Sequence, residues 1–177
     1  MQTAHEFWIH QLQRLQSTEK QLLAVLSDAE RETQRGDAKR AFARHRKQTE
    51  GHLQRLEAVF HAIGAESRET ACPGLEGLMA EKHSAEAEGL SPELRDFNTL
   101  LAALQIERYE TSAYETLSFL AQQMGHRDAA RLLRETLREE QETAKLVLEL
   151  LKASKLHWTE GMAEDASSEA PRRRRAA

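Results

Sequence analysis

The sequence holds little of what builds sheets, staples or membrane spans. It has one cysteine, Cys72, which excludes a disulfide framework and a thiolate metal cluster and makes a reducing cytoplasm the expected compartment. Aromatic residues make up 5% of the 177 positions, and the scarcity of Val, Ile, Tyr, Phe and Trp argues against a sheet-rich fold. A mean hydropathy of -0.68 and the lack of a long apolar run exclude a membrane span. The opening MQTAHEFWIHQLQRL has no basic stretch followed by an apolar one, so it does not read as a secretion signal. No Ser-His-Asp arrangement and no phosphate-cradling glycine loop supports a hydrolase or a nucleotide-binding protein. A net charge of -4 gives no general reason for nucleic-acid binding.

What is abundant is Ala, Leu, Glu, Gln and Arg, with three prolines and eight glycines to interrupt them. That composition favours helices. Gly36-Asp37, the stretch Gly64 to Gly74 with Cys72-Pro73-Gly74, Gly89 to Glu93, and Gly125 with Asp128 are the punctuation. Ser91 suits an N-cap and Pro92 a first helical position. Four long helices follow, at about 3–34, 37–63, 92–124 and 128–156, with a shorter one at about 75–88. Two short turns make two antiparallel hairpins, and one long crossover joins them. The expected fold is all-α, a ferritin-like four-helix bundle over residues 1–158. Residues 159–177 are small, polar and charged, and read as a disordered tail ending in Arg172-Arg173-Arg174-Arg175. Glu160, Glu164, Asp165 and Glu169 partly cancel that basic run, so a nucleic-acid partner is not expected.

At 100° per residue, every long helix carries a metal-capable side chain on its apolar stripe. Glu19 falls between Leu15 and Leu22. His45, Thr49 and His52 share a stripe with Phe42, Leu56 and Phe60. Glu107 and Glu110 lie with Tyr114 and Leu117, and Glu140 is central among Leu133, Leu137 and Ala144. A lone carboxylate rarely stays buried, because its desolvation costs several kcal/mol unless a partner or cation offsets it. Four glutamates on three helices with histidine on the fourth make a donor set for a dinuclear site, suited to iron, with manganese or zinc as alternatives.

Height along the bundle narrows the choice. Glu19 lies 17 residues before Gly36 and His52 lies 16 after it; Glu110 and Glu140 each lie 15 from Gly125. Equal distance from a turn means equal height, so Glu19 is level with His52 and Glu110 with Glu140, and Glu107, one turn from Glu110, can share its layer. His45 is seven residues from His52, about 10 Å along the axis, which favours His52 over His45 as the ligand. His45, Glu50 and Tyr114 remain as further ligands or neighbours of the ligands.

Several segments carry a family resemblance. Glu19-Lys20-Gln21-Leu22-Leu23, Gly51-His52-Leu53-Gln54-Arg55-Leu56, Cys72-Pro73-Gly74-Leu75-Glu76-Gly77-Leu78, Ile106-Glu107-Arg108-Tyr109-Glu110 and Leu137-Arg138-Glu139-Glu140 all occur in order. Over roughly residues 5 to 152 the chain resembles the YciE/YciF-type bacterial stress proteins, a branch of the ferritin-like superfamily. The resemblance implies two iron ions and a ferroxidase-like oxidoreductase role in stress. The chain departs from the family pattern where carboxylates are expected: Lys47, Gln48 and Ala144 stand there, and Glu50 is the nearest replacement.

Two functions follow as expectations. One is a di-iron carboxylate protein that binds iron through Glu19, His52, Glu107, Glu110 and Glu140 and oxidises it with oxygen or peroxide. The other is a metal-free helical stress or interaction protein whose metal site has eroded. Phe7, Trp8 and Ile9 put apolar residues on more than one side of the first helix, which predicts a homodimer.

Overall fold

In the computed structural model, residues 1–156 are described, and all their regular structure is α-helical. The helices are α1 (Ala4–Glu32), α2 (Gly36–Ile63), α3 (Pro73–Ala87), α4 (Pro92–Gln123) and α5 (Arg127–Lys152). The tail expected at 159–177, with its arginine run, lies outside the described residues. No helix among the described residues is long and apolar enough to cross a membrane.

Local chemistry sets the helix ends. Thr3 Oγ1 accepts from the Glu6 amide at 3.1 Å to start α1. Ser91 Oγ accepts from the Leu94 amide at 3.3 Å, with Pro92 next in the chain, to start α4. Each such cap contributes about 1 kcal/mol. Gly125, at φ 81°, turns the chain between α4 and α5 through a left-handed conformation that side chains resist.

Contacts at the two ends fix the topology. Arg35, in the α1–α2 turn, donates from Nη1 to the Leu150 carbonyl and to Ser154 Oγ, both at 2.8 Å. The neighbouring Gln34 amide donates to Asp96 at 3.0 Å. The start of α4 and the end of α5 therefore meet the α1–α2 turn. At the opposite end, Trp8 Nε1 donates to the Leu117 carbonyl at 3.1 Å, and its ring stacks on His126 with centroids 5.1 Å apart. Thus α1 and α5 run one way, and α2 and α4 the other. This up-down-down-up order, with α3 in the long connection, is the ferritin-like arrangement. Both α1 and α5 pack on α2 and on α4, while α3 packs along α4.

The apolar interior is in two parts. Toward the Trp8 end lie Trp8, Leu12, Leu15, Leu56, Phe60, Leu117 and Leu133. Toward the Arg35 end lie Leu22, Leu26, Phe42, Leu75, Leu100, Ile106 and Val147. Each fully buried side chain of this size stabilises the fold by about 1.5–3 kcal/mol. Between them the inward-facing residues are polar, because the heptad-like stripes of all four long helices carry Glu or His at that height. The start of α3 docks beside Tyr109 of α4 so closely that a Cβ on Gly74 would lie 2.8 Å from the tyrosine ring. Glycine is required there to let the crossover lie against the bundle.

Candidate metal centre

The polar layer gathers one glutamate from α1, two histidines from α2, two glutamates from α4 and one from α5. Glu19, His45, His52, Glu107, Glu110 and Glu140 are each no more than 2% exposed. They fall into two groups in which one donor atom from each residue lies within 4.8 Å of the others: Glu19, His52 and Glu140, and His45, Glu107, Glu110 and Glu140. Glu140 belongs to both, so the two groups share an edge.

The first group is built around His52. Its Nδ1 lies 2.8 Å from Glu140 Oε1 and 3.3 Å from Glu19 Oε1. Its Nε2 lies 2.9 Å from Glu139 Oε2, which also accepts from Arg55 Nη2 at 2.5 Å. Arg55 in turn donates from Nε to Thr136 Oγ1 at 2.9 Å. A carboxylate behind a histidine in this way fixes the ring orientation and raises the basicity of the inward nitrogen. Burial pulls the His52 pKa down, but the facing Glu140 and Glu19 outweigh it, and the value is pushed up to about 10. Tyr114 donates its phenol proton to Glu19 Oε1 at 2.5 Å.

The second group is built around His45. Its Nε2 lies 3.0 Å from Glu107 Oε1 and 3.6 Å from Glu140 Oε2. On the other side, Thr143 Oγ1 lies 3.4 Å from Nδ1 and donates its own proton to the Glu139 carbonyl at 3.0 Å. A hydroxyl has one proton to give, so Thr143 must accept from His45 Nδ1–H. That assigns the neutral tautomer whose Nε2 lone pair points at the carboxylates. Burial holds the His45 pKa below its ordinary value, in keeping with a neutral ring.

Burial raises the pKa of every carboxyl in the layer: Glu107 to about 8, Glu110 well above the ordinary carboxyl range, and Glu19 and Glu140 upward as well. Several atoms in the layer also have no aligned hydrogen-bond partner. They are Glu19 Oε2, Glu107 Oε2, both oxygens of Glu110, both of Glu140, His45 Nε2 and His52 Nδ1. Buried polar atoms are nearly always paired. Here His52 Nδ1, His45 Nε2 and the Glu140 oxygens meet only in the ion pairs above. Glu19 Oε2, Glu107 Oε2 and both Glu110 oxygens are left over, a set that could hold a metal ion. Oxygen and imidazole donors at this spacing fit small divalent cations of the iron, manganese or zinc type. Four ionised glutamates with two neutral histidines would balance two such charges.

The five glutamate and histidine positions read from the helical stripes, Glu19, His52, Glu107, Glu110 and Glu140, all stand in this layer. Tyr114 stands behind Glu19. Two other expectations are corrected. His45 is not two turns out of reach: its ring centroid lies 6.1 Å from that of His52, because both rings reach from the backbone toward the same layer. Glu50 is exposed and lies 3.9 Å from Arg46, turned away from the core. Lys47 is exposed, Gln48 sits near the His45 end with a buried Oε1, and Ala144 is fully buried. Glu139 and Arg55 lie off the apolar stripes, Glu139 being 100° around α5 from Glu140. Their signal in the sequence is the adjacent pair Glu139-Glu140 with an arginine one turn after His52.

The fold and this layer define a helical-bundle protein with a buried, metal-capable carboxylate–histidine core. The chain belongs to the DUF892 family, whose profile, described as a domain of unknown function, matches residues 3–158. It is 35% identical over 144 residues to the protein YciF of Escherichia coli K12, covering 81% of this chain and 87% of that one. The crystal structure of the E. coli stress protein YciF superposes with a TM-score of 0.82 at 34% identity, covering 87% of this chain and 98% of that one. YcfI from Rhodopseudomonas palustris gives a TM-score of 0.80 at 26% identity over 88% of this chain and 97% of that one.

Proposed function

We propose that this protein is a dinuclear carboxylate–histidine oxidase that takes up ferrous iron in the bundle core and oxidises it with dioxygen or peroxide. The observation that carries the reading is the pair of buried donor groups that share Glu140, with Glu19 Oε2, Glu107 Oε2 and both Glu110 oxygens unpaired within them. Two ferrous ions supply one electron each; dioxygen with two protons becomes hydrogen peroxide, or peroxide with two protons becomes water. The chain supplies the rest. Glu19, His52 and Glu140 would hold one ion, and His45, Glu107, Glu110 and Glu140 the other. The carboxyls must lose protons as the ions enter, so loading releases acid. Tyr114 holds Glu19, Thr143 holds His45, and the Arg55–Glu139 pair holds His52, so these three donors are oriented before a cation arrives. The apolar residues above and below keep bulk water out. The description of a relative 34% identical as a stress protein supports a role in a stress response.

A second reading, a metal-free interaction protein, draws on the His52 ion pairs. A charged His52 between Glu19 and Glu140 would settle part of the layer without any cation. It leaves Glu110 with neither oxygen paired.

Anaerobic loading with ferrous iron, removal of unbound metal and exposure to air decide between them. The oxidase reading expects about two irons per chain and oxygen consumption that tracks them. Glu115→Ala, an exposed change on α4, should alter neither. Iron that washes out, with a melting temperature insensitive to metal, supports the second reading.

A further inference from the structure

A semi-enclosed cavity of about 110 Å³ lies between α1, α3 and α4 on the Arg35 side of the polar layer. Its inner end is Glu107, a residue of the cluster, and its outer end carries Asp28, Glu32 and His83. The body between is apolar: Leu22 and Leu26 of α1, Phe42 of α2, Ala103 and Ile106 of α4, and Met79 of α3, which forms the roof. Engineered apolar cavities of comparable size stay dry and take up xenon or benzene. Lys82, 7% exposed, borders the passage with its ammonium 2.6 Å from Glu86 and 3.3 Å from Glu32. Its charge is taken up by those two carboxylates, and the apolar body of the passage offers no ligand to a hydrated cation, which would have to shed water to cross it. An uncharged, apolar molecule of a few atoms meets no such cost. Thr99 Oγ1 also lines this region and, like Glu107 Oε2 at the inner end, has no protein partner.

We infer that this cavity admits dioxygen and delivers it to the Glu107 edge of the cluster, with α3 as its roof. The inference rests on the oxidase reading above and adds to it a route that the cluster geometry alone does not contain. It also separates the two reactants: iron must reach the layer elsewhere, and the oxidant arrives from the α3 side.

Xenon is the probe, because it needs no iron. Methyl resonances of Leu22, Leu26 and Ile106 in the full-length, metal-free chain should shift saturably under xenon pressure. Ala103→Leu fills the passage and should abolish those shifts. In iron-loaded protein, Ala103→Leu should keep the iron content and the rate with hydrogen peroxide. Its rate with dioxygen should fall roughly tenfold, a barrier of about 1.4 kcal/mol. Met79→Ala opens the roof and should leave xenon binding intact with a dioxygen rate no slower than wild type, which guards against a packing defect in the filled variant. An absence of xenon shifts overturns the inference whatever the iron does. So does an unchanged dioxygen rate in a filled variant that excludes xenon, or an equal slowing with dioxygen and peroxide. Xenon binding in a wild-type protein that oxidises no iron sinks the oxidase reading and the dioxygen assignment together, and leaves an apolar gas site.

Discussion

On the Glu19 side of the polar layer, His52 faces two carboxylates with Nδ1 and a third, Glu139, with Nε2. On the Glu110 side, His45 faces carboxylates with Nε2, and its Nδ1 meets the Thr143 hydroxyl. The two rings come from the same helix, two turns apart, and their pKa values move in opposite directions: up to about 10 for His52, down for His45. Burial acts on both; at His52 the facing Glu140 and Glu19 outweigh it, and at His45 the neighbouring carboxylates do not. The consequence is that one half of the layer can neutralise itself with a proton on His52, while the other half holds its negative charge only by protonating Glu107 and Glu110. The second half therefore has more to gain from a cation.

The largest effect that tests this comparison is on iron content. Glu140 belongs to both groups and Glu107 to one. Glu140→Ala should leave no tightly bound iron, and Glu107→Ala about one per chain. Both should abolish oxidation, since electrons from two ions are required, and the double variant should be no worse than Glu140→Ala. Metal analysis after anaerobic loading reads the difference; equal iron in the two variants would break the division of the layer into two groups.

The sequence made much of this layer legible because helical stripes and equal distances from two turns are one-dimensional quantities. Glu19, His52, Glu110 and Glu140 need nothing more than Gly36 and Gly125 as reference points. His45 ranks below His52 in the sequence because counting residues measures the backbone, and the final approach is made by side chains several ångströms long. Glu50 stands in the sequence as the nearest replacement for the missing carboxylates, and its own helix turns it away from the site. Glu139 and Arg55 carry no apolar periodicity and act across the edge between α2 and α5, which is a tertiary fact. The roof that α3 places over the cavity depends on how the crossover docks, and the contact of Gly74 with Tyr109 does not follow from either residue alone.

A smaller effect separates the histidines in the metal-free protein. His52→Ala removes a buried cation from between Glu19 and Glu140 and should cost about 3–5 kcal/mol near neutral pH. His45→Ala removes a neutral ring and its bond to Thr143, which should cost about 1–3 kcal/mol. Urea unfolding in the presence of a chelator measures both. Equal losses would mean that the two rings carry the same charge, contrary to the contrast between His52, held by Glu140 and Glu19, and His45.

The smallest effect is the pH slope, and its sign is fixed by the direction of the shifts. A carboxyl raised from 4.5 to about 8 in the folded chain, as Glu107 is, gives stability that is complete below about 4.5 and lost as pH rises through 8. His52, raised from 6.5 to about 10, gives stability that is complete below 6.5 and lost as pH rises through 10. Glu110 is raised by burial and so acts in the same sense as Glu107. His45 is lowered, so it opposes them only as pH falls below its ordinary value of 6.5. Between pH 6.5 and 9 the metal-free protein should therefore become less stable as pH rises, by at most about 1.4 kcal/mol per pH unit for each group. Cations reverse the slope, because they need the carboxyls deprotonated and compete with protons for them. Thermal melts with chelator and with bound metal should draw apart as pH rises through this window. Glu107→Gln should flatten the chelated curve, since its amide does not titrate. A Glu107→Gln curve as steep as wild type would place the uptake of protons elsewhere in the molecule, and remove the imbalance between the two halves as its cause.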